Sequence, residues 1–503
     1  MANHTTTIAK NTVFLYLRTF LILIVSIYTS RVLLATLGVV DYGIYNLVAG
    51  VVGLFASLKV VFASAVQRFL NYEKGKGNHL RQQHIFSLSL IIHIAIALFF
   101  ACVVTAAGVW FIANRLNVPD GSIDTALFVF HCAVITAMFN ILAIPFDAAI
   151  IANERLNFYA GLGIADALLK LLIIYILPLA TYNYLKFYAF MIAGIGFLNL
   201  LTEIIYCHRF AECRLRFFWD KRLFSNLASF AGWNFLGNTA FALVNEGINM
   251  VLNIFGGVVA NAARGIAYQV KSAVSQLSSN ILIASQPHII QQAAATVKEN
   301  TFRNINKVSR ILFFIMSTTL LPMIVYCEQL LGIWLIEVPP QSVLFVRLVL
   351  VHMIIRVLHG PMDILFKAFG KIGKYQIIDS ITLFTALPAS YILLKLGLPL
   401  YTAFIMIITA ELLNICCIVK LAQAIVGFDI KSYLRQVLQP YVVILICLSA
   451  VGFVFYKFMM PSSWFLMIIC MILYIISEVS VVYFFLNTEE RDFIKKLINR
   501  IYS

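Results

Sequence analysis

Pro145-Phe-Asp147, followed by Ala152, Arg155 and Tyr159, recurs as Pro361-Met-Asp363, followed by Ala368, Lys371 and Tyr375. Every position is displaced by one constant interval, that between Pro145 and Pro361, giving the shared pattern P-x-D-x4-A-x2-[RK]-x3-Y. Solenoid repeats run over only ~20–50 residues. A period this long, in an almost continuously apolar chain, points to a duplicated bundle of membrane helices, an internal architecture common among secondary transporters.

The surrounding composition agrees. The 503 residues are 62% hydrophobic and 12% charged, with a mean hydropathy of +0.92, whereas soluble domains carry ~25% charged residues. A membrane span needs ~20 mostly apolar residues, and about fourteen such stretches occur. They centre near Val25, Phe55, Ala97, Ala137, Leu169, Ala193, Phe241, Ser275, Thr318, Ile355, Leu387, Ile408, Leu448 and Ile475. The predicted fold is therefore an all-α polytopic membrane protein: two pseudo-symmetric six-helix lobes plus two extra C-terminal helices. The expected boundaries are 1–210 and 211–426 for the lobes, 427–487 for the extra pair, and 488–503 for an amphipathic tail on the cytoplasmic leaflet. The longest polar segments, Cys207–Asn226 and Gln291–Arg310, are too short to hold a nucleotide-binding or glycosyltransferase domain.

A net charge of +15 suggests nucleic acid only until its distribution is read. With a cytoplasmic N-terminus, the outer segments hold Arg115, Lys186, Arg264, Lys395 and Lys457. Eight more basic residues lie inside spans, which leaves 24 of the 37 lysines and arginines on the inner side. Such an excess sets topology, so nucleic acid is the weaker reading. An even number of spans per repeat also gives both lobes the same orientation. Cys207, His208 and Cys213 lack a fourth metal ligand at workable spacing, and no metal or cofactor is expected.

Several further stretches carry a family resemblance: Asp41-Tyr-Gly-Ile-Tyr-Asn46, Phe230-Ala-Gly-Trp-Asn234, Asn261-Ala-Ala-Arg-Gly-Ile-Ala-Tyr-Gln269 and the tail Thr488-Glu-Glu-Arg491. Together with the repeat they resemble bacterial polysaccharide transporters of the O-antigen flippase type, in the multidrug/oligosaccharidyl-lipid/polysaccharide exporter superfamily. The resemblance implies a V-shaped cavity between lobes, lined mainly by spans one, two, seven and eight. It implies a polyprenyl-diphosphate-linked glycan as cargo, the bacterial inner membrane with both termini cytoplasmic, and partners among other polysaccharide-assembly proteins.

The residues offer their own candidates. The eight intramembrane cations are Arg18, Arg31, Lys59, Arg68, Lys170, Lys271, Arg347 and Arg356, and each costs ~2.5–3.5 kcal/mol at mid-helix on insertion scales. Lys170 has Asp166 four positions earlier, the favourable helical spacing, while Arg68 and Arg347 reach span ends. Asn234, Asn238, Asn245, Asn249 and Asn253 fall within about 100° of one another on a helix, with Glu246 at the edge. The next span carries Arg264, Tyr268, Lys271, Ser272, Ser275, Ser279 and Gln286 on one face, opposite Ile266, Val270, Val274, Leu277 and Ile281. Amides donate to and accept from sugar hydroxyls, and cations balance a diphosphate. The expected substrate-binding set is therefore Arg18, Lys59, Asn234, Asn238, Asn245, Asn249, Arg264, Lys271 and Ser275, with Glu246 as the ion-coupling residue. Arg356, beside His352 and His359, serves either the cavity or a packed network. No Walker A loop, H-E-x-x-H helix or nucleophile elbow occurs, so no catalytic residue is expected. Rival readings are a cation-coupled multidrug antiporter of the same superfamily and a membrane polysaccharide polymerase or ligase. The first wants a span-one carboxylate and the second a substantial outer loop, and the chain has neither.

The charge asymmetry predicts that both termini and the Cys207–Arg222 loop face the cytoplasm. Reporter fusions at these three places should all score inside, and one outside would overturn both the orientation and the span count.

Overall fold

The computed structural model describes residues 2–53, 66–67, 69–70, 73–74, 78–115, 119, 121–153, 155–181, 183–214, 220–295, 298–459, 461, 463–486 and 491. Among them the secondary structure is helical throughout, with no strand. Twelve stretches are long and apolar enough to cross a membrane. Two of these, Ile24–Gly50 and Ala242–Ser279, bend at glycines and run from one expected span into the next. The remainder of the second span, 54–65, lies outside the described residues, as does nearly all of the expected tail. The helix count read from hydropathy is thus accounted for.

Both bends have the same backbone conformation. Gly38 has φ 76° and ψ 172°, and Gly257 has φ 65° and ψ −170°. This region is essentially restricted to glycine, because a Cβ there meets the residue's own backbone. The two glycines interrupt the helices Ala2–Gly53 and Lys221–Ala295 at corresponding places in the two repeats. The quoted motif repeats as faithfully. Asn153 and Phe369 are C-caps, and Arg155 and Lys371 are N-caps of the helices that follow. Arg155 N donates to Ile150 O at 3.1 Å, and Lys371 N to Phe366 O at 2.9 Å, so the repeat interval holds for donor and acceptor alike.

Contacts gather the chain into two compact units. One comprises Met1–Gly265 with Ser390–Leu400, and the other Ile266–Ala389 with Tyr401–Ser503. The division falls inside the long bent helix, at 265/266, and the helices after 427 group with the second unit. In the first unit the reason is close packing. A Cβ on Gly43 would overlap the Val258 carbonyl, and one on Gly50 would overlap the Asn249 amide and Glu246 carboxylate. These glycines let 39–53 lie directly against 246–258, so the seventh span is held with the first six. Ile44, Leu47 and Val48 continue that seam into a core with Phe100, Phe130, Leu185 and Val258.

In the second unit Arg310 ties Lys298–Val325 to the turn Leu434–Leu438 that leads into the added helix Gln439–Phe458, and to the end of the added helix Trp464–Phe485. Its guanidinium donates to Gln436 O at 2.7 Å and Phe485 O at 3.1 Å. Tyr441 Oη donates to Ile354 O at 2.7 Å, and its ring lies 3.9 Å from that of Phe313. Large apolar side chains such as Phe99, Leu179 and Phe484 face outward, whereas Ser89, His93, Glu411 and Asn414 are buried. That inversion of the soluble pattern is what a lipid surround requires.

Placing a side chain on either bend should be unfavourable although no neighbour obstructs it at Gly38. Gly38→Ala and Gly257→Ala should each lose ~1–3 kcal/mol, seen as a lower thermal midpoint in detergent. Gly161→Ala, in open helical surroundings, should lose nothing.

Candidate functional site

The repeated motif builds a polar cavity in each unit, at matching places in the sequence. In the first unit a cavity of ≈ 190 Å³ is lined by Asn140, Asp147, Tyr159, Gly163, Asp166 and Lys170, together with Asn199 and Glu203. In the second, one of ≈ 370 Å³ is lined by Arg356, Asp363, Tyr375 and Asp379, with His359, Gln376 and Ser275, Ser278 and Ser279. Arg356, Asp363, Tyr375 and Asp379 are the repeat counterparts of Asn140, Asp147, Tyr159 and Gly163. Proline in the P-x-D helix precedes each buried turn (Pro145, Pro361), and the aspartate and tyrosine are retained. The remaining pairs have diverged, Asn140 to Arg356 and Gly163 to Asp379.

The smaller cavity is governed by Asp166. Lys170 Nζ donates to Oδ2 at 2.7 Å and Asn199 Nδ2 to Oδ1 at 2.8 Å, as the helical spacing anticipated for the lysine. The larger cavity is organised by a chain of charge-assisted bonds. Arg356 donates to Glu411 Oε2 at 2.7 Å, with the carboxylate wholly buried and the guanidinium side chain 25% exposed. His352 Nε2 lies 3.4 Å from the same oxygen. His359 Nε2 stands 2.8 Å from Asp379 Oδ1 and 3.1 Å from Tyr375 Oη. Asn414 donates to Asp379 at 2.6 Å, and Thr382 to Asn414 at 2.8 Å. Arg356 therefore serves the cavity and a packed network together.

Of the residues expected to bind substrate, Lys271 and Ser275 sit on the cavity's own helix. The Lys271 ammonium is half-buried over the Tyr268 ring, 4.6 Å from its centroid. Ser275 lines the cavity and donates to Lys271 O at 2.7 Å. Asn249 and Arg264, together with Asn253 of the amide stripe, differ from the wetted wall expected of them. They are 2%, 5% and 0% exposed and bond within the first unit. Asn253 donates to Asn261 Oδ1 at 2.9 Å, Asn261 donates to Asn249 Oδ1 at 2.8 Å, and Arg264 donates to Asn245 O at 2.6 Å. The Gly257 bend is the cause: it turns 258–265 back along 245–253, so amides on one stripe meet partners on the returning helix. Asn245 is half-buried, and its amide donates to Glu246 Oε1 at 2.9 Å. Glu246 also receives Asn249 at 3.4 Å. The side chains of Arg18, Asn234 and Asn238 lie outside the described residues, as does Lys59 entirely.

Reasoning from sequence missed Glu411, Asp379 and His359 as partners. Glu411 and Asp379 were visible only as costly polar residues in spans, and His359 only as a neighbour of Arg356. Arg356 with Glu411 and His359 with Asp379 come from different spans, and such pairs have no local signature.

No protein-family model matches this chain, nor does any curated protein. Solved structures do. The lipid II flippase MurJ, in an inward closed conformation, is 12% identical with a TM-score of 0.70, covering 96% of this chain and 100% of that one. An inward-facing multidrug resistance MATE transporter of the MOP superfamily is 13% identical, TM-score 0.64, covering 80% of this chain and 92% of the other. A MOP-superfamily transporter from Pyrococcus furiosus, noted for reversed polarity of its binding pocket, scores 0.54 at 13% identity, with 81% and 91% covered. The chain has the all-α, multi-pass fold shared by these transporters.

Removing one partner of the buried pair should be far worse than removing both. Arg356→Met leaves Glu411 buried and unbalanced, a loss of ~3–5 kcal/mol. The double variant Arg356→Met/Glu411→Gln should recover most of the folded yield in size-exclusion chromatography. If the double variant is no better than the single, the pair is not the stabilising element.

Proposed function

We propose that this protein is a flippase that moves a polyprenyl-diphosphate-linked oligosaccharide from the inner to the outer leaflet of the bacterial inner membrane, by alternating access, for surface-polysaccharide assembly. The observation carrying this reading is the face of the 258–295 helix. Lys271 stands there in the membrane, and Ser275, Ser278 and Ser279 follow on the cavity side. A cation placed beside hydroxyls matches a phosphate joined to a sugar. Likeness of fold to a lipid II flippase over nearly the whole chain supports a lipid-linked glycan as cargo. The lipid tail remains in the bilayer, so the protein needs to shelter only the polar head, for which desolvation is costly. Glu246, gathered by the Asn245 and Asn249 amides, is the group we assign to ion coupling. Other polysaccharide-assembly proteins would pass the cargo in and take it onward.

A drug antiporter is the second reading, favoured by the fold shared with multidrug resistance transporters. The two part in a deletion strain. A flippase deletion loses one surface polysaccharide and accumulates its lipid-linked precursor inside, with drug susceptibility unchanged. An antiporter deletion does the reverse.

Charge at Lys271 should matter more than shape. Lys271→Arg should keep most export, Lys271→Gln should lose about tenfold or more, as expected for a charge-assisted hydrogen bond of ~1.5–3 kcal/mol, and Lys271→Glu should be null. All three are compared at equal membrane abundance. Normal export by Lys271→Glu would sink the anionic-cargo reading.

A further inference from the structure

We propose that the ≈ 370 Å³ cavity of the second unit is a sugar subsite, which holds one residue of the glycan while Lys271 meets the diphosphate. This rests on the flippase reading and adds to it the place where the sugar is recognised.

Three features of the cavity select a neutral polyol. The first is the state of its carboxylates, each of which already faces a donor of the protein itself. Asp379 is met by His359 and Asn414, and Asp363 by Lys367 at 2.6 Å, while Arg356 on the wall is already engaged by the buried Glu411 behind it. A bare cation would have to displace these groups, and an anion would confront the two acids of the wall. A hydroxyl, which both donates and accepts, fits among them without changing the charge.

The second feature is the supply of unused hydrogen-bonding capacity. Ser275, Ser278 and Ser279 donate to backbone carbonyls of their own helix, which leaves their oxygens as acceptors on the cavity wall. Gln376 lines the cavity with an amide able to donate and accept. The third is the mixed lining. Leu282, Leu312, Met353 and Val357 form an apolar surface for the C–H face of a pyranose, and Tyr375 brings a ring with its hydroxyl. The volume would hold about a dozen waters at ~30 Å³ each, far more than a dehydrated ion needs.

Position favours loading as well. Arg356 to Asp363 end near the Ala368 terminus of their span, and Tyr375 and Asp379 lie just after the Ile372 start of the next. The cavity thus sits about 5–18 Å inside the end marked by Lys367, Lys371 and Lys374, the end that the basic asymmetry assigns to the cytoplasm, where glycan is attached to carrier. Lys271 is one helical turn from Ser275 on the same face, within reach of a phosphate joined to the bound sugar.

The test uses the full-length protein in micelles with glucose, galactose, N-acetylglucosamine and N-acetylgalactosamine as probes in saturation-transfer NMR. At least one should bind at millimolar concentration, and Gln376→Leu and Ser279→Val should each weaken it about tenfold with normal folded yield. In vesicles carrying the host's lipid-linked precursor, both variants should raise KM by a similar factor. No binding to the wild type, or binding and KM unchanged in both variants, overturns the subsite. Stabilisation by sodium chloride but not choline chloride, lost in the same variants, would make it a cation site and overturn it too. Wild-type flipping with an unaltered KM in the variants sinks the subsite alone. A wild type that binds sugars yet flips no precursor sinks the flippase reading alone.

Discussion

Inside a bilayer, a polar group that does not find a partner within the protein finds none at all. That constraint orders this structure. Most described backbone groups are bonded within helices, and side-chain polarity is paired across helices at several places: Asp166 with Asn199, Arg356 with Glu411, Asn414 with Asp379, and Asn253 with Asn261 across the Gly257 bend. What lipid touches is left to Phe, Leu and Ile. Because apolar contact with lipid is as favourable as contact with another helix, such bonds and close glycine packing determine which helices associate.

The two glycine bends show how the constraint acts on the backbone. A reversal between spans needs a conformation that other residues rarely adopt, and Gly38 and Gly257 supply it at equivalent places. The second bend also decides the fate of the amide stripe. Asn249 and Asn253 meet partners on the returning segment, so they hold the first unit together. Duplication supplied two copies of one helical hairpin, and divergence at a few positions made their cavities unlike. The copy with Asp166 and Lys170 is small, with a built-in ammonium on its central carboxylate. The copy with Arg356 and Asp379 is roomier and richer in hydroxyls.

A transporter must bind its cargo firmly enough to select it and loosely enough to release it. Under the reading proposed above, a cavity whose own charges are mutually satisfied suits that need, because entry of a sugar would exchange water for hydroxyls without creating or exposing a charge. On the same proposal, Lys271, held over Tyr268, would meet the phosphate as a partly desolvated cation, where the attraction is stronger than in water.

Much of this was legible in the residues alone. Hydropathy counts spans because each must be ~20 apolar residues long. The long-period repeat located the paired hairpins down to their capping residues. Lys170 could be assigned to Asp166 because helix geometry fixes neighbours four apart. Such inferences succeed where the physics is local or periodic. Tertiary structure alone decided that Arg356 belongs to Glu411 and His359 to Asp379, that the seventh span groups with the first six, and that Asn249 and Asn253 face protein instead of water. A helical wheel shows which side chains share a face, but what that face meets depends on how far the chain turns at Gly257 and on how closely Gly43 and Gly50 let another helix approach.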